Sequence, residues 1–400
     1  MPLFYLVQAD ALFPVNNKIP LSLYVHIPWC VKKCPYCDFN SFEKNDFFDE
    51  EMYVKALLID LDNEYINCQQ DSLSSIFFGG GTPSLFSADA IHRIIQHARQ
   101  LFKFTDIETT LEANPGAVDV EKFSLFKDAG VNRLSIGIQS FNEAYLKSLG
   151  RIHNSQQALS AIDAAKNAGF ENINLDLMYG LPQQTVQQAL NDITTAAEFN
   201  VPHISHYQLT IEENTYFHKY KPALPDNDLI WEMQTLSQDV LAGNDYQQYE
   251  ISAYAKAGRQ CAHNLNYWRF GDYIGIGAGA HGKLTEVASA SMPTDIVKIT
   301  RAWKHRQPQE YIKQTLEGKS LSGVQELNQR DAVFEFLLNA LRLKQGCDMK
   351  TFVKHTGLDC AVLESAVKNI DSSLLLIDIN KISTTDKGFL FLNDILEELL

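Results

Sequence analysis

Cys30, Cys34 and Cys37 crowd into "LYVHIPWCVKKCPYCDFNSF", the stretch that begins at Leu23. The other cysteines, Cys68, Cys261, Cys347 and Cys360, are scattered without ligand spacing and read as buried, inert thiols. Thiols at C-x3-C-x2-C spacing can do several kinds of chemistry. A disulfide needs an oxidising compartment, and 7 cysteines in a long chain without an export signal point to the reducing cytoplasm. A thioredoxin-like couple could use Cys34 and Cys37 in "CPYC", which leaves Cys30 over. Structural zinc takes four protein ligands, and no nearby fourth Cys or His has the usual pairing. An iron–sulfur cluster held by three thiolates keeps one iron open for a substrate. Spacing alone leaves these readings open.

Other residues carry chemistry further on. "GGGTP" from Gly79 offers backbone that a ligand can approach closely, or a simple turn. Glu112, Arg151 and Asp176 can bind polar ligand groups; as structural residues they would be two surface charges and a hydrogen-bonded strand acid. In "HNLNYW", His263 to Trp268, a neutral imidazole stands beside aromatic surface. That suits haem iron and a porphyrin face, with Arg269 able to meet a propionate. A histidine beside aromatics is more commonly structural, and His26, His203, His206, His218 and His281 compete as ligands. "GIGAGAHG" lies late in the chain, outside a clear βαβ unit, and is no dinucleotide fingerprint.

Six β-rich runs must position these residues. They start at Ser22, Ser75, Glu108, Arg133, Asn172 and His203, and amphipathic segments separate them. Strand–helix alternation predicts a parallel sheet, either a partial (β/α)6 barrel or an open doubly wound sheet. In both, function gathers at the carboxyl ends of the strands, where the cysteines, "GGGTP", Glu112 and Gln139 fall, with Asp176 in or near the end of strand five. The alternation fades from about Leu224. The expected division is an N-terminal extension (1–20), a barrel (21–255), a connecting region with the histidine motif (256–290) and a smaller α+β, winged-helix-like domain that is largely helical (291–400). "LLLIDINKISTTDKGFLFLNDILEELL" predicts two short strands, a turn at "DKG" and a closing helix.

The chain has 400 residues, a net charge of -15 and 45% hydrophobic residues, an ordinary globular composition. The acidic balance argues against nucleic acid as a partner. No apolar run approaches the roughly 20 residues that span a bilayer.

C-x3-C-x2-C after the first strand, followed by "GGGTP", resembles the radical S-adenosylmethionine superfamily. The resemblance covers roughly Ser22 to Asn393. It implies a [4Fe-4S] cluster on Cys30, Cys34 and Cys37 whose open iron S-adenosylmethionine chelates, and one-electron cleavage to a 5′-deoxyadenosyl radical. It also implies cofactor roles for Tyr24, Tyr36, Gly80, Gly81, Thr82, Glu112, Gln139, Arg151 and Asp176. "LYVHIPWC" and "IGIGAGAHG" are similar to the coproporphyrinogen oxidase group, which holds a radical decarboxylase and a haem chaperone branch. The decarboxylase has a further cysteine where Phe39 stands here, and a longer N-terminal arm. "HNLNYW" matches the haem motif of the chaperone branch, implying His263, Tyr267 and Trp268 as haem contacts. The branch implies haem, membrane haem proteins as acceptors, a haem donor, a flavodoxin-type reductant, a homodimer, and a cytoplasmic place, transiently at the inner membrane face. Coproporphyrinogen oxidation stays the alternative; a radical enzyme acting on RNA, prompted by the winged-helix-like end, is disfavoured by the acidic charge.

Overall fold

The computed structural model describes residues 18–45, 48–287 and 297–399, so most of the expected N-terminal extension lies outside the described residues. The six expected strands form at β1 (Leu21–Ile27), β2 (Ser75–Gly80), β3 (Glu108–Ala113), β4 (Arg133–Gln139), β5 (Asn172–Tyr179) and β6 (His203–Gln208). They lie side by side in chain order, each parallel to the next. A doubly wound sheet would reverse its order at a switch point. Unreversed order with right-handed crossovers puts the helices on one face, which selects the partial barrel.

Helices follow the strands at α1 (Glu50–Asn67), α2 (Ala88–Leu101), α3 (Val120–Asp128), α4 (Ser155–Asn167), α5 (Val186–Glu198) and α6 (Asn227–Gly243). Each begins at a residue whose side chain accepts a backbone N–H of the first turn: Asp49, Ser87, Asp119, Asn154, Thr185 and Asp226. Asn154 and Thr185 complete capping boxes with Gln157 and Gln188. The apolar faces meet β1–β6 in one core that includes Leu23, Val25, Phe78, Leu111, Ile136 and Leu175. The helices take most of their stability from this packing.

The sheet runs beyond the six strands. Asp272–Ile276 adds to the outer edge of β1 in parallel, and His281–Val287, Val297–Lys304 and Leu321–Glu326 continue it antiparallel. Ala253–Ala255 and Gln247–Glu250 extend the β6 edge. Among the described residues the two outermost strands do not pair, so the barrel stays open. Residues from 256 to 326 thus contribute strands to the main sheet, and the largely helical part begins at Gln329, later than Ser291. There a helix (Gln329–Ala340), a strand (Cys347–Asp348), two helices and two strands (Leu375–Ile377, Lys381–Thr384) follow the winged-helix order. They surround a second core of Phe336, Phe352, Leu363 and Ile382. "DKG" is not a turn: Thr385 caps a helix that Asp386 opens, and the turn between the two strands is made by Asp378, which accepts the N–H groups of Asn380 and Lys381.

A buried ionic cluster ties the sheet extension to α1. Lys304, 2% exposed, donates to Asp60 at 2.6 Å and to Glu64 at 2.5 Å. Tyr311 donates to Asp60 at 2.8 Å, and the Gly277 N–H meets both Asp60 and Tyr311. The cluster fixes the Gly277–Ala280 turn, which Asn40 of the cysteine loop also grips through the Ala278 carbonyl.

Candidate functional site

The loop after β1 carries the three cysteines. Trp29 and Cys30 pair with Phe42 and Glu43, and the Cys37 N–H donates to the Cys34 carbonyl at 3.2 Å, folding the loop back. The three half-buried thiols line one cavity of about 410 Å3. Tyr36, Gly80, Gly81, Thr82, Glu112, Gln139, Arg151 and Asp176 line it too. Of the residues expected around S-adenosylmethionine, Tyr24 alone lies elsewhere. Among the described residues, no group of three His, Cys, Asp or Glu side chains is disposed to hold one metal ion. Three thiols lining one cavity are the soft donor set that iron–sulfur clusters take. Burial pushes the Cys30 thiol up to about 11 and raises Cys37 as well, so binding metal there releases protons.

Each neighbour is held for a reason. Arg151 donates to the Gly137 carbonyl at 2.8 Å and to Cys34 Sγ at 3.6 Å, while its buried Nε has no partner. That spare donor suits an anionic ligand group. Gln139 ends β4 in a left-handed conformation (φ 69°), and its carbonyl accepts Tyr207 Oη at 2.6 Å. The glycines have a cause beyond a ligand's approach. A Cβ on Gly81 would lie 2.6 Å from the Trp29 carbonyl oxygen, and one on Gly80 2.5 Å from the His26 ring. β1 and the cysteine loop after it need that space.

Glu112 accepts the Gly80 N–H at 3.1 Å, and burial followed by repulsion from Asp176 pushes its pKa up to about 8. The folded chain therefore holds a proton there that the unfolded chain has lost. Stability is full below the unfolded value, falls as pH rises toward about 8 and is constant above. The difference in melting temperature between Glu112→Gln and the metal-free wild type should grow from pH 5 to pH 8, by on the order of a few kcal/mol of stability at most. A pH-independent difference would show that Glu112 ionises normally.

A second cavity of about 1080 Å3 lies against the first and shares Phe39, Gly80, Glu112, Ser135 and Asp176 with it. His263, Tyr267, Trp268 and Tyr24 line it. The motif folds as a short helix, α7 (Ala262–Trp268), whose first N–H groups are taken by Glu108. Ser75 and Glu108 open β2 and β3, so α7 sits at the amino ends of the strands, opposite the cysteines. The residues expected at the carboxyl ends of the strands line the first cavity, whereas this motif lies at the amino ends.

A hydroxyl relay sets the His263 tautomer. The Ser75 hydroxyl gives its one proton to Ser22, so at 3.1 Å from His263 Nδ1 it can only accept. Nδ1 carries the proton and Nε2 keeps its lone pair. Burial lowers the His263 pKa to about 3, so the ring is neutral near pH 7. The competitors differ. Both nitrogens of His26 are engaged by Tyr24 and the Asn40 carbonyl, and both of His203 by Asn174 and Tyr249. His206 and His218 do not line the cavity; His281 does, stacked near Trp303 at an exposed position. Arg269 does not line it either.

Residue type alone passed over Arg133, Ser135, Asn174 and Tyr207. Ser135 and Asn174 donate to Asp176 at 2.9 and 2.8 Å. Their signal was periodicity: Arg133, Ser135, Gly137 and Gln139 alternate along β4, as Asn174 and Asp176 do along β5, a polar stripe facing the barrel interior.

The barrel, the cysteine loop and the cavity at the strand ends define a class: residues 24–196 match the family model described as the Radical SAM superfamily. The chain is 47% identical over 391 residues to "Heme chaperone HemW" of Haemophilus influenzae, covering 95% of this chain and 98% of that protein. It is 46% identical over 383 residues to the Escherichia coli protein of the same name, with the same coverage of each. The chain belongs to the HemW family. Among solved structures it is similar to the coproporphyrinogen III oxidase of Escherichia coli, with a TM-score of 0.79 and 22% identity over 96% of this chain and 91% of that one. That likeness speaks for the fold.

Proposed function

We propose that the protein is a haem chaperone that takes haem into the second cavity, with His263 Nε2 as the axial ligand, and hands it to haem-dependent membrane proteins. The observation that carries this reading is the His263 tautomer: a neutral imidazole with a free lone pair, fixed by Ser75, on the wall of a cavity at the upper end of the roughly 300–1,000 Å3 range for small-ligand sites. Tyr267 and Trp268 supply apolar surface beside it, although the guanidinium of Arg342, 4.4 Å from the Trp268 ring, covers one face. Family membership supports the same reading.

In the first cavity, Cys30, Cys34 and Cys37 hold a [4Fe-4S] cluster. Tyr36, Gly80, Gly81, Thr82, Glu112, Gln139, Arg151 and Asp176 surround S-adenosylmethionine, with Tyr24 across the shared wall. When bound, that pair supplies one-electron chemistry at the sulfonium. The chain's part is to orient the cofactor and exclude water, with Arg151 offering its spare N–H to a carboxylate and Glu112 facing cationic or hydroxyl groups. A reductant of flavodoxin type, a haem donor and pairing into a homodimer complete the proposal. Among the described residues no helix is long and apolar enough to cross a membrane. Delivery is proposed as transient contact on the cytoplasmic side of the membrane.

The test is a haem titration of the anaerobically reconstituted protein followed by Soret absorbance, with coproporphyrinogen III as control. Saturable, near-stoichiometric binding without decarboxylation of the control is expected. His263→Ala should weaken binding by at least the roughly 10–100-fold seen when a metal ligand loses its outer-shell support, with the cluster content unchanged. Unchanged affinity would move the ligand to His281. Vinyl products from the control, without haem binding, would overturn the chaperone reading.

A further inference from the structure

Arg133 opens β4 and is 2% exposed, yet it lines the second cavity. A buried guanidinium normally spends its N–H groups on carboxylates or carbonyls, because an unpaired internal charge is costly. Here the recorded hydrogen bond is a long one, from Nη1 to Thr110 Oγ1 at 3.5 Å, and the buried Nε has no hydrogen-bond partner. The nearest carboxylate is committed elsewhere. Glu108 Oε1 accepts the N–H groups of Ala262 and His263 and the Cys261 thiol, which leaves Oε2 3.8 Å from Arg133 Nε, an ion pair without a hydrogen bond.

The cavity's other cations are accounted for differently. Lys304 is saturated by Asp60 and Glu64, and Arg306 is solvent-exposed. Ser135 and Asn174 already serve Asp176. Arg133 is thus the buried cation of this cavity with donors to spare, and it lies close enough to His263 to depress the charging of that ring.

We propose that Arg133 binds a carboxylate of the ligand in the second cavity, so that one propionate arm of the porphyrin meets its guanidinium while the ring lies against His263. The assignment rests on the haem reading given above. It makes the site selective for porphyrins with free acid arms, because a neutral ester brings no charge to the guanidinium.

The probes are haem and haem dimethyl ester, which share ring and iron and differ in the charge of the arms. Holding cluster-loaded wild-type protein against both, we expect haem to bind about tenfold or more tightly than the ester, the scale of a hydrogen bond to a charged group. Arg133→Gln should erase the preference, haem affinity falling to that of the ester. Arg133→Lys keeps a buried charge should the glutamine variant fail to fold, and it should lose most of the preference, since an ammonium lacks the planar fork. Arg306→Gln should retain it. Equal affinity of the wild type for both ligands overturns the assignment and leaves the haem reading standing, as does a full preference in either folded Arg133 variant. Loss of the preference in Arg306→Gln overturns it in favour of that exposed arginine. Failure of the wild type to bind either ligand overturns both readings.

Discussion

Cys34→Ala should purify without its iron–sulfur complement, with iron and acid-labile sulfide falling to background after anaerobic reconstitution. The effect is expected to be total because the loop supplies only three thiols to the first cavity and no other cysteine lines it. The fold should survive. The loop is also held by the Phe42 N–H on the Pro28 carbonyl, the Lys44 N–H on the Cys30 carbonyl and the Asn40 amide on Ala278, none of which uses a thiol. Melting of the metal-free variant should match that of the metal-free wild type. A full iron and sulfide complement in Cys34→Ala would refute the assignment of the cluster, and Cys30→Ala and Cys37→Ala provide the same test at the other corners.

The second large effect concerns stability. Lys304→Ala should destabilise the chain by about 3–5 kcal/mol at pH 7, because it strands Asp60 and Glu64 without their cation. Asp60 is 0% exposed, so water cannot take over. The sign of the pH dependence follows from Glu64, whose pKa burial raises while Lys304 pulls it down. Without Lys304 it rises further, so the penalty is complete at neutral pH and shrinks as acid neutralises that carboxyl. Urea denaturation at pH 7 and pH 5 reads both features. A deficit that is equal at the two pH values would mean that the loss is one of packing alone. Since Asp60 and Tyr311 also hold the Gly277 N–H, the variant should loosen the turn before His281 and with it one wall of the second cavity.

Parts of this molecule are written locally. The six parallel strands could be read because one face of each must be apolar to pack on the helices, as Leu21, Leu23, Val25 and Ile27 alternate along β1. The helices could be read from their spacing and their caps. The three thiols could be read because a C-x3-C-x2-C loop places its ligands within one short segment, so chain connectivity alone brings them together. "HNLNYW" could be read as a motif for the same reason. The strands after Ser291 escape a sequence reading because Leu321–Glu326 is an exposed edge strand and Val297–Lys304 beside it is mostly half-buried, so burial imposes little pattern on either.

What the sequence by itself determined, then, is the set of local pieces: the alternating strands and helices, the cysteine loop and the histidine motif. What only the tertiary structure decided is how those pieces face one another. That the strand order never reverses, which makes a barrel, depends on pairings between segments tens of residues apart. That Glu112 and Asp176 share a wall, so that Asp176 raises the cost of ionising Glu112, depends on β3 and β5 lining one interior. The state of His263 depends on where the Ser75 proton goes, and that is fixed by Ser22 across the β1–β2 pair. The spare donors of Arg133 exist because Glu108 turns to cap α7. Proton positions and buried charges are set by neighbours in space, and a sequence orders neighbours only along the chain.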